Sequence, residues 1–258
     1  MTTVQDIYEA IDGMAPFSTA ESWDNSGLLL GRKEKRVQRV LFCLDFTRGA
    51  LAAALQQQAD LVLCHHPVIF QPISSVTGTA VYYPLLQQDV ALIAAHTNLD
   101  QAQQGVNAAL IAKAGLPLSP RQPEQAPVYL KFCDLPVPVS PEELARKVCG
   151  ALSLSGVRIS DSRRMVTRAA VCGGAGGGFW REALEGGAQL LITGEAKHDQ
   201  MIDGKNAGLS MLQLGHQESE QVVLPFWKDS ISSLFPQLEL EVYLQPESKL
   251  MFFETVSR

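Results

Sequence analysis

Two hydrophobic periods alternate along this chain. In "VQDIYEAIDGM", from Val4, apolar positions recur at helical spacing, which predicts an amphipathic opening helix ended by Gly13. "RVLFCLDF" and "DLVLCHH" are short, almost continuously apolar runs, the pattern of buried strands, and "TRGALAAALQQQ" between them has helical composition. "VALIAAH" predicts another buried strand, followed by a loop at "HTNLDQ" and the helix "GVNAALIAKAG". The prolines of "GLPLSPRQPEQAP", Gly115 to Pro127, mark a connection. In "SPEELARKV", Ser140 as cap, Pro141 in the first turn and Glu143 three residues on form a helix-start signature.

The first pattern then returns. "RAAVCGGAGGGFWREALEGGAQLLITGEAKH" again reads strand, turn, helix, strand and polar cluster. Cys43 to Ala59 and Cys172 to Ala188 span the same distance, so "ADLVLCHH" lies over "AQLLITGE". "ALIAAHTNLD" and "MLQLGHQESE" both run from an apolar strand to a histidine and then, four residues on, a carboxylate: His96 and Asp100, His216 and Glu220. Three matches in order predict a duplicated α/β unit. The expected fold is α/β, with two similar interlinked units (1–126 and 127–258), mixed sheets flanked by helices, and a metal cleft between them. Parallel strands joined by helical crossovers gather ligands beyond their carboxyl ends. His65, His66, His96, Glu195 and His216 all follow apolar strands and are expected to converge at one sheet edge or across the cleft.

Charge removes some function classes. A net charge of −6, with one basic run ("GRKEKRVQR") that reads as a solvated loop, argues against nucleic-acid binding. No apolar stretch approaches the ~20 residues that a membrane helix needs, and the start lacks the pattern of a secretory signal. The five cysteines form no C-x-x-C pair and several sit in apolar runs, which suits a reducing cytoplasm without disulfides.

The chemistry concentrates in "LVLCHHPVIF", Leu61 to Phe70. Side chains alternate across a strand and Pro67 keeps His66 extended, so His65 and His66 are expected to point to opposite faces and address different ions. Taken alone, the pair also fits a hydrogen-bonded strand end. His216 and Glu220 share a face if a helix begins at His216, whereas "HTNLDQ" reads as a loop that leaves the common direction of His96 and Asp100 open. Imidazoles with carboxylates suit zinc, iron, manganese, cobalt or nickel better than calcium or magnesium. Two ions sharing a carboxylate, with positions left for water, use the set better than two closed structural sites.

"WDNSGLLLG", "CHHP", "HTNLD", "CGGAGGG", "TGEAKH" and "GHQESE", in this order and over nearly the whole chain, resemble the Nif-three-like dinuclear-metal family, YbgI group, often labelled GTP cyclohydrolase type-two homologues. The resemblance implies two divalent transition-metal ions (zinc, iron, manganese or nickel) held by His65, His66, Asp100, His216 and Glu220. It gives His66 and Asp100 to one ion and His65 and His216 to the other, with Glu220 bridging. It also implies a homo-hexamer with inward-facing sites and a cyclohydrolase-like attack on a purine ring carbon. The long insert of some relatives is absent. Asp199 and Gln217 stand where many members have histidine and an aromatic residue.

Other polar groups have readings of their own. His96 either orients a ligand by hydrogen bonding or ligates directly, and it can assist proton movement. Glu195, Lys197 and His198, at a strand end, read either as a solvated helix start or as groups for substrate contact and proton transfer. The amides of "GGAGGG", Gly176 and Gly177 among them, could cradle a phosphate, although the run lacks the P-loop and G-x-G-x-x-G patterns and also fits a close-packed turn. "SWDNSG" reads as a turn with an anchored tryptophan ahead of a strand. Together these readings predict a cytoplasmic metal-dependent hydrolase of a small nucleotide-like or phosphate-bearing substrate. A metal-delivery or storage protein, and an interaction protein braced by metal, are the alternatives.

Overall fold

Short apolar runs form the centres of two sheets in the computed structural model, which describes residues 1–246. In chain order the elements are α1 (Val4–Met14), β1 (Gly27–Leu30), β2 (Arg39–Cys43), α2 (Arg48–Gln56), β3 (Leu61–Cys64), α3 (Tyr83–Gln87), β4 (Ala91–Ala94), α4 (Thr97–Gln101) and α5 (Val106–Lys113). There follow β5 (Lys131–Val139), α6 (Pro141–Leu152), β6 (Arg158–Ser160), β7 (Val166–Cys172), α7 (Trp180–Glu185), β8 (Leu190–Thr193), α8 (His198–Asn206), β9 (Ser210–Gln213), α9 (His216–Glu220), α10 (Val223–Leu234) and β10 (Glu239–Tyr243). Two compact units result. The first comprises Met1–Ala112, Pro127–Lys131 and Glu220–Gln245, and the second is built mainly from Lys113–Ala126 and Phe132–Ser219. Among the described residues no helix is long and apolar enough to cross a membrane.

The first sheet has the order β1-β4-β3-β2-β10, with β4, β3, β2 and β10 parallel and β1 antiparallel to β4. Its central strands β2, β3 and β4 are apolar on both sides because both faces are covered, whereas β10, ELEVY, alternates. Val40, Phe42, Leu61, Leu63, Ala91 and Ile93 pack with Val4, Ile7 and Ile11 of α1 and with Leu224, Trp227 and Ile231 of α10. Leu41, Cys43, Val62, Cys64, Leu92 and Ala94 face Ala50 and Ala54 of α2 and Leu85 of α3. Each large side chain among them contributes about 1.5–3 kcal/mol by leaving water. α1 is started by a capping box: the Asp6 amide donates to the Thr3 hydroxyl, and the Thr3 amide to the Asp6 carboxylate at 2.7 Å. It continues to Met14, past the expected stop at Gly13, because the Ala15 amide still reaches the Ile11 carbonyl.

The second sheet, β5-β7-β8-β9-β6, repeats the plan. Three parallel strands (β7, β8, β9) correspond to β2, β3 and β4, and β6 runs antiparallel to β9 as β1 does to β4. The registers agree: Cys43 pairs with Cys64, and Cys172 with Thr193. α6 carries the expected cap, with Ser140 and Glu143 bonded reciprocally. All five cysteines are free thiols.

The segment "HTNLDQ" is not a loop. Residues Thr97–Gln101 form α4, directly after β4, and the Asp100 amide donates to the His96 carbonyl at 3.0 Å. Gly105 holds this helix in place, since a Cβ there would stand 1.7 Å from the Leu99 carbonyl oxygen. Gly105→Ala is therefore expected to destabilise the protein by about 1–3 kcal/mol, as overpacking does. Gly13→Ala, in a helix with nothing within 4 Å of the added methyl, should stabilise it by about 0.4–1 kcal/mol. Urea unfolding of both variants measures the two signs.

Candidate metal centre

The centre of the first unit forms at the carboxyl ends of its parallel strands. Asp45 follows β2, His65 and His66 follow β3, and His96 follows β4, so neighbouring strands deliver them to one edge. Asp100 comes from α4, and Glu220 closes α9. His65 and His66 do not diverge as a continued strand would require. β3 ends at Cys64 and the chain bends at both histidines, which leaves their rings 4.9 Å apart.

Each imidazole is tied at Nδ1 to a group that can only accept. His65 Nδ1 donates to the Ala95 carbonyl at 2.8 Å, His66 Nδ1 to Asp45 Oδ1 at 2.7 Å, and His96 Nδ1 to Asp24 Oδ1 at 2.8 Å. A neutral imidazole that donates from Nδ1 carries its lone pair on Nε2. These lone pairs meet carboxylates. His65 Nε2 stands 3.5 Å from Asp100 Oδ1 and 3.9 Å from Glu220 Oε2, and His66 Nε2 lies 3.1 Å from Glu220 Oε2. Acceptor facing acceptor is repulsive unless a proton or a cation lies between. His65 is fully buried and its Nε2 has no hydrogen-bond partner among the described residues, a costly state for a polar atom unless it has a ligand. Within the described residues of the first unit two sets could hold a metal ion: His65, His66 and His96, and His65, Asp100 and Glu220, each with ligand atoms within 4.8 Å of one another. His96 therefore lies within reach of direct ligation. His65 Nε2 thus faces Asp100, a residue that the resemblance gives to the other ion.

The electrostatics follow from this crowding. Burial pushes the His66 imidazole down, but hydrogen bonds to Asp45 and Glu220 outweigh it and raise the pKa to about 10. Burial likewise opposes, and the charges of Asp100 and Glu220 override, at His65, which also ends above the ordinary range. Asp24 is held well below the usual carboxylate range: burial pushes it up, but His96, Thr97 and Ser26 hydrogen-bond to the ionised form.

Sequence reasoning passed over two of these groups. Asp45, two residues beyond β2, carries no motif and shows its role only through His66. Asp24 reads as a turn residue and does bond its own turn, through Ser26 Oγ at 2.9 Å, but it also fixes His96 and Thr97. The anchor of that turn is this carboxylate, not the tryptophan: Trp23 is 57% exposed.

The second unit places its candidates differently. Glu195 Oε2 lies 3.5 Å from His216 Nδ1, and His216 opens α9, so the condition for His216 and Glu220 to share a face is met. Lys197 and His198 are exposed at the start of α8, where the Lys197 amide donates to Gln200 Oε1 at 2.8 Å. That is the solvated helix start. Gly176 and Gly177 are buried in a tight turn, and the Gly177 amide donates to the Glu195 carbonyl at 3.0 Å. A Cβ at Gly176 would meet the Cys172 side chain at 2.6 Å, and one at Gly177 would meet Ala196 at 2.5 Å. Close packing explains both glycines, and the Gly177 amide is already committed within the fold. Where the first unit has His65, the repeat has Gly194, whose Cβ would lie 2.5 Å from Ser219 Oγ. No imidazole fits there.

Comparison with known proteins places the chain in a family. The sequence profile of the Duf34/NIF3 (NGG1p interacting factor 3) family matches residues 2–249. A Clostridium perfringens protein named GTP cyclohydrolase 1 type 2 homolog is 29% identical over 86% of this chain and 88% of its own. A Streptomyces coelicolor protein of the same name is 30% identical over 85% and 82%. Among solved structures, Staphylococcus aureus protein SA1388 superposes with a TM-score of 0.83 at 25% identity, covering 98% of this chain and 99% of that one. On the match of nearly its whole length, the chain belongs to the DUF34/NIF3 family.

Proposed function

We propose that the centre binds two divalent transition-metal ions (zinc, iron, manganese or nickel) and that the protein is a cyclohydrolase-like hydrolase of a small nucleotide-like or phosphate-bearing substrate. The observation that carries this reading is the approach of the unpartnered, fully buried His65 Nε2 to the Asp100 carboxylate at 3.5 Å, which calls for a cation between them. The donor set, mixed nitrogen and oxygen, fits such ions. On these distances His65, Asp100 and Glu220 hold one ion, and the family resemblance adds His66 and His216 as the remaining ligands. His216 stands one turn before Glu220 on α9, so the helix sets both on one face.

Two ions bound side by side would polarise a substrate oxygen and make a water acidic near neutral pH. The chain's own groups do the rest. The Ala95 carbonyl and Asp45 fix the tautomers of His65 and His66, keeping each Nε2 lone pair directed inward. His96, oriented by Asp24, takes or returns a proton at Nε2. Glu195, beside His216, serves proton transfer. The name of the relatives, GTP cyclohydrolase 1 type 2 homolog, supports hydrolysis at a purine-type ring carbon as the reaction class.

Purified protein should carry about two transition-metal ions per chain by elemental analysis, as a two-metal centre requires, and should hydrolyse a member of a nucleotide and phosphoester panel. His66→Ala and Glu220→Gln should each abolish that activity. Turnover surviving in chelated, metal-free protein would defeat the mechanism. Asp45→Asn keeps the shape but removes the charge behind His66, and competition with a chelating dye should show affinity falling about 10–100-fold. An unchanged affinity would remove Asp45 from the site.

The pH dependence has a defined sign. In metal-free protein His66 is raised to about 10 from an ordinary 6.5. Its proton stabilises the fold below pH 6.5, and that contribution is lost as pH rises through about 10. Between these limits a metal ion must displace the proton, so affinity rises with pH. Titration calorimetry at pH 7.5 in buffers of different ionisation enthalpy should record proton release, and buffer-independent heats would contradict it.

A further inference from the structure

Large aromatic side chains left in water beside a polar centre are a poor use of apolar surface unless something covers them. Trp180 and Trp227 are 8% and 3% exposed, whereas Trp23 is 57% exposed and Phe70 is 42% exposed. Both exposed rings belong to the first unit and border the centre. Trp23 lies 5.9 Å from Phe70 and 6.1 Å from His96, and Phe70 lies 6.2 Å from His96, so the three centroids form a nearly equilateral triangle. Two separate loops supply the rim, one before β1 and one after β3, and the Asn25 side-chain amide clamps them by donating to the Ile69 carbonyl at 2.5 Å. The contacts are tilted or edge-on, with interplanar angles of 48°, 76° and 71°, so among the described residues no ring stacks face to face on Trp23.

We infer that Trp23 and Phe70 are specificity-determining residues that stack on the planar heteroaromatic ring of the substrate, of nucleobase or pterin class. The inference rests on the metal-dependent reading above and adds to it the part of the substrate that is recognised. Its warrant is the juxtaposition of open π-faces with a hydrogen-bonding edge. A heterocycle stacked on Trp23 lies beside His96, whose ring centroid is 6.1 Å from that of the tryptophan, so its polar ring edge has a hydrogen-bonding group at hand. An aliphatic or purely sugar-phosphate substrate would use the polar edge and leave both rings uncovered. Aromatic faces bind any nucleobase, because every base offers a π-face.

The test is titration calorimetry of zinc-loaded protein with GMP, CMP and a free pterin, and with ribose 5-phosphate as the ring-free control. At least one ring compound is expected to bind more tightly than ribose 5-phosphate. Trp23→Ala should weaken that compound by at least about fivefold, the lower end of what one aromatic–base stack supplies, without changing ribose 5-phosphate. Trp23→Tyr should restore binding, and Phe70→Ala should act in the same direction as Trp23→Ala. Zinc content, read separately for every variant, should stay constant. Failure of wild-type protein to take up zinc sinks the metal reading. Zinc uptake with no preference for a ring, or with Trp23→Ala affecting both ligand types equally, overturns the stacking role. A change of oligomeric mass in Trp23→Ala with ligand binding intact would assign the rim to a second copy of the chain, and it too overturns the inference.

Discussion

Everything at the centre depends on where three imidazole protons go. His65, His66 and His96 give their Nδ1 hydrogens to a main-chain carbonyl, to Asp45 and to Asp24, respectively. That choice sets the tautomers, fixes the ring planes and leaves Nε2 as the acceptor on each ring. Two of those acceptors then confront Asp100 and Glu220 at 3.1–3.9 Å. A fold that gathers acceptors so closely in a buried place has a deficit of positive charge built into it. Protons can fill the deficit in part, and the raised pKa values of His65 and His66 express that. Divalent cations bound there would fill it more fully.

The scaffold explains why this happens in one unit and not the other. Both sheets share a strand order and matching registers, so both could present side chains beyond the same strand ends. In the second unit the place of Asp45 is Gly174, with φ of 56°, and that of His65 is Gly194, packed against Ser219 and the Gly174 carbonyl. Backbone fills the space that imidazoles fill in the first unit. The duplication therefore kept the frame and divided the chemistry.

The rim adds a second kind of chemistry to this edge. Trp23 and Asp24 are neighbours in one turn but have opposite fates, the ring in solvent and the carboxylate buried beneath it. The same turn thus positions His96 from below and offers an aromatic face above. Buried ion pairs and hydrogen-bonded carboxylates of this type are costly to assemble, and the Asp24 network offsets that cost with donors from His96, Thr97, Ser26 and the Asn25 amide.

The sequence by itself determined the repeat, the parallel strands and the clustering of histidines after them. Apolar runs must be buried on both faces, and strand–helix–strand spacing leaves little freedom in topology. The capped helix at Ser140 was legible for a local reason, its reciprocal Ser140–Glu143 signature. Other features were decided only in three dimensions. α4 is five residues long and has weak propensity, and it is helical because β4 delivers it against a packed core. The bend after Cys64 that turns both histidines inward, the role of Asp45, and the exposure of Trp23 all depend on neighbours distant in sequence. Periodicity reports which face of an element is buried. It carries no information on which atom of a side chain meets which partner, and the chemistry of this centre is settled by that choice.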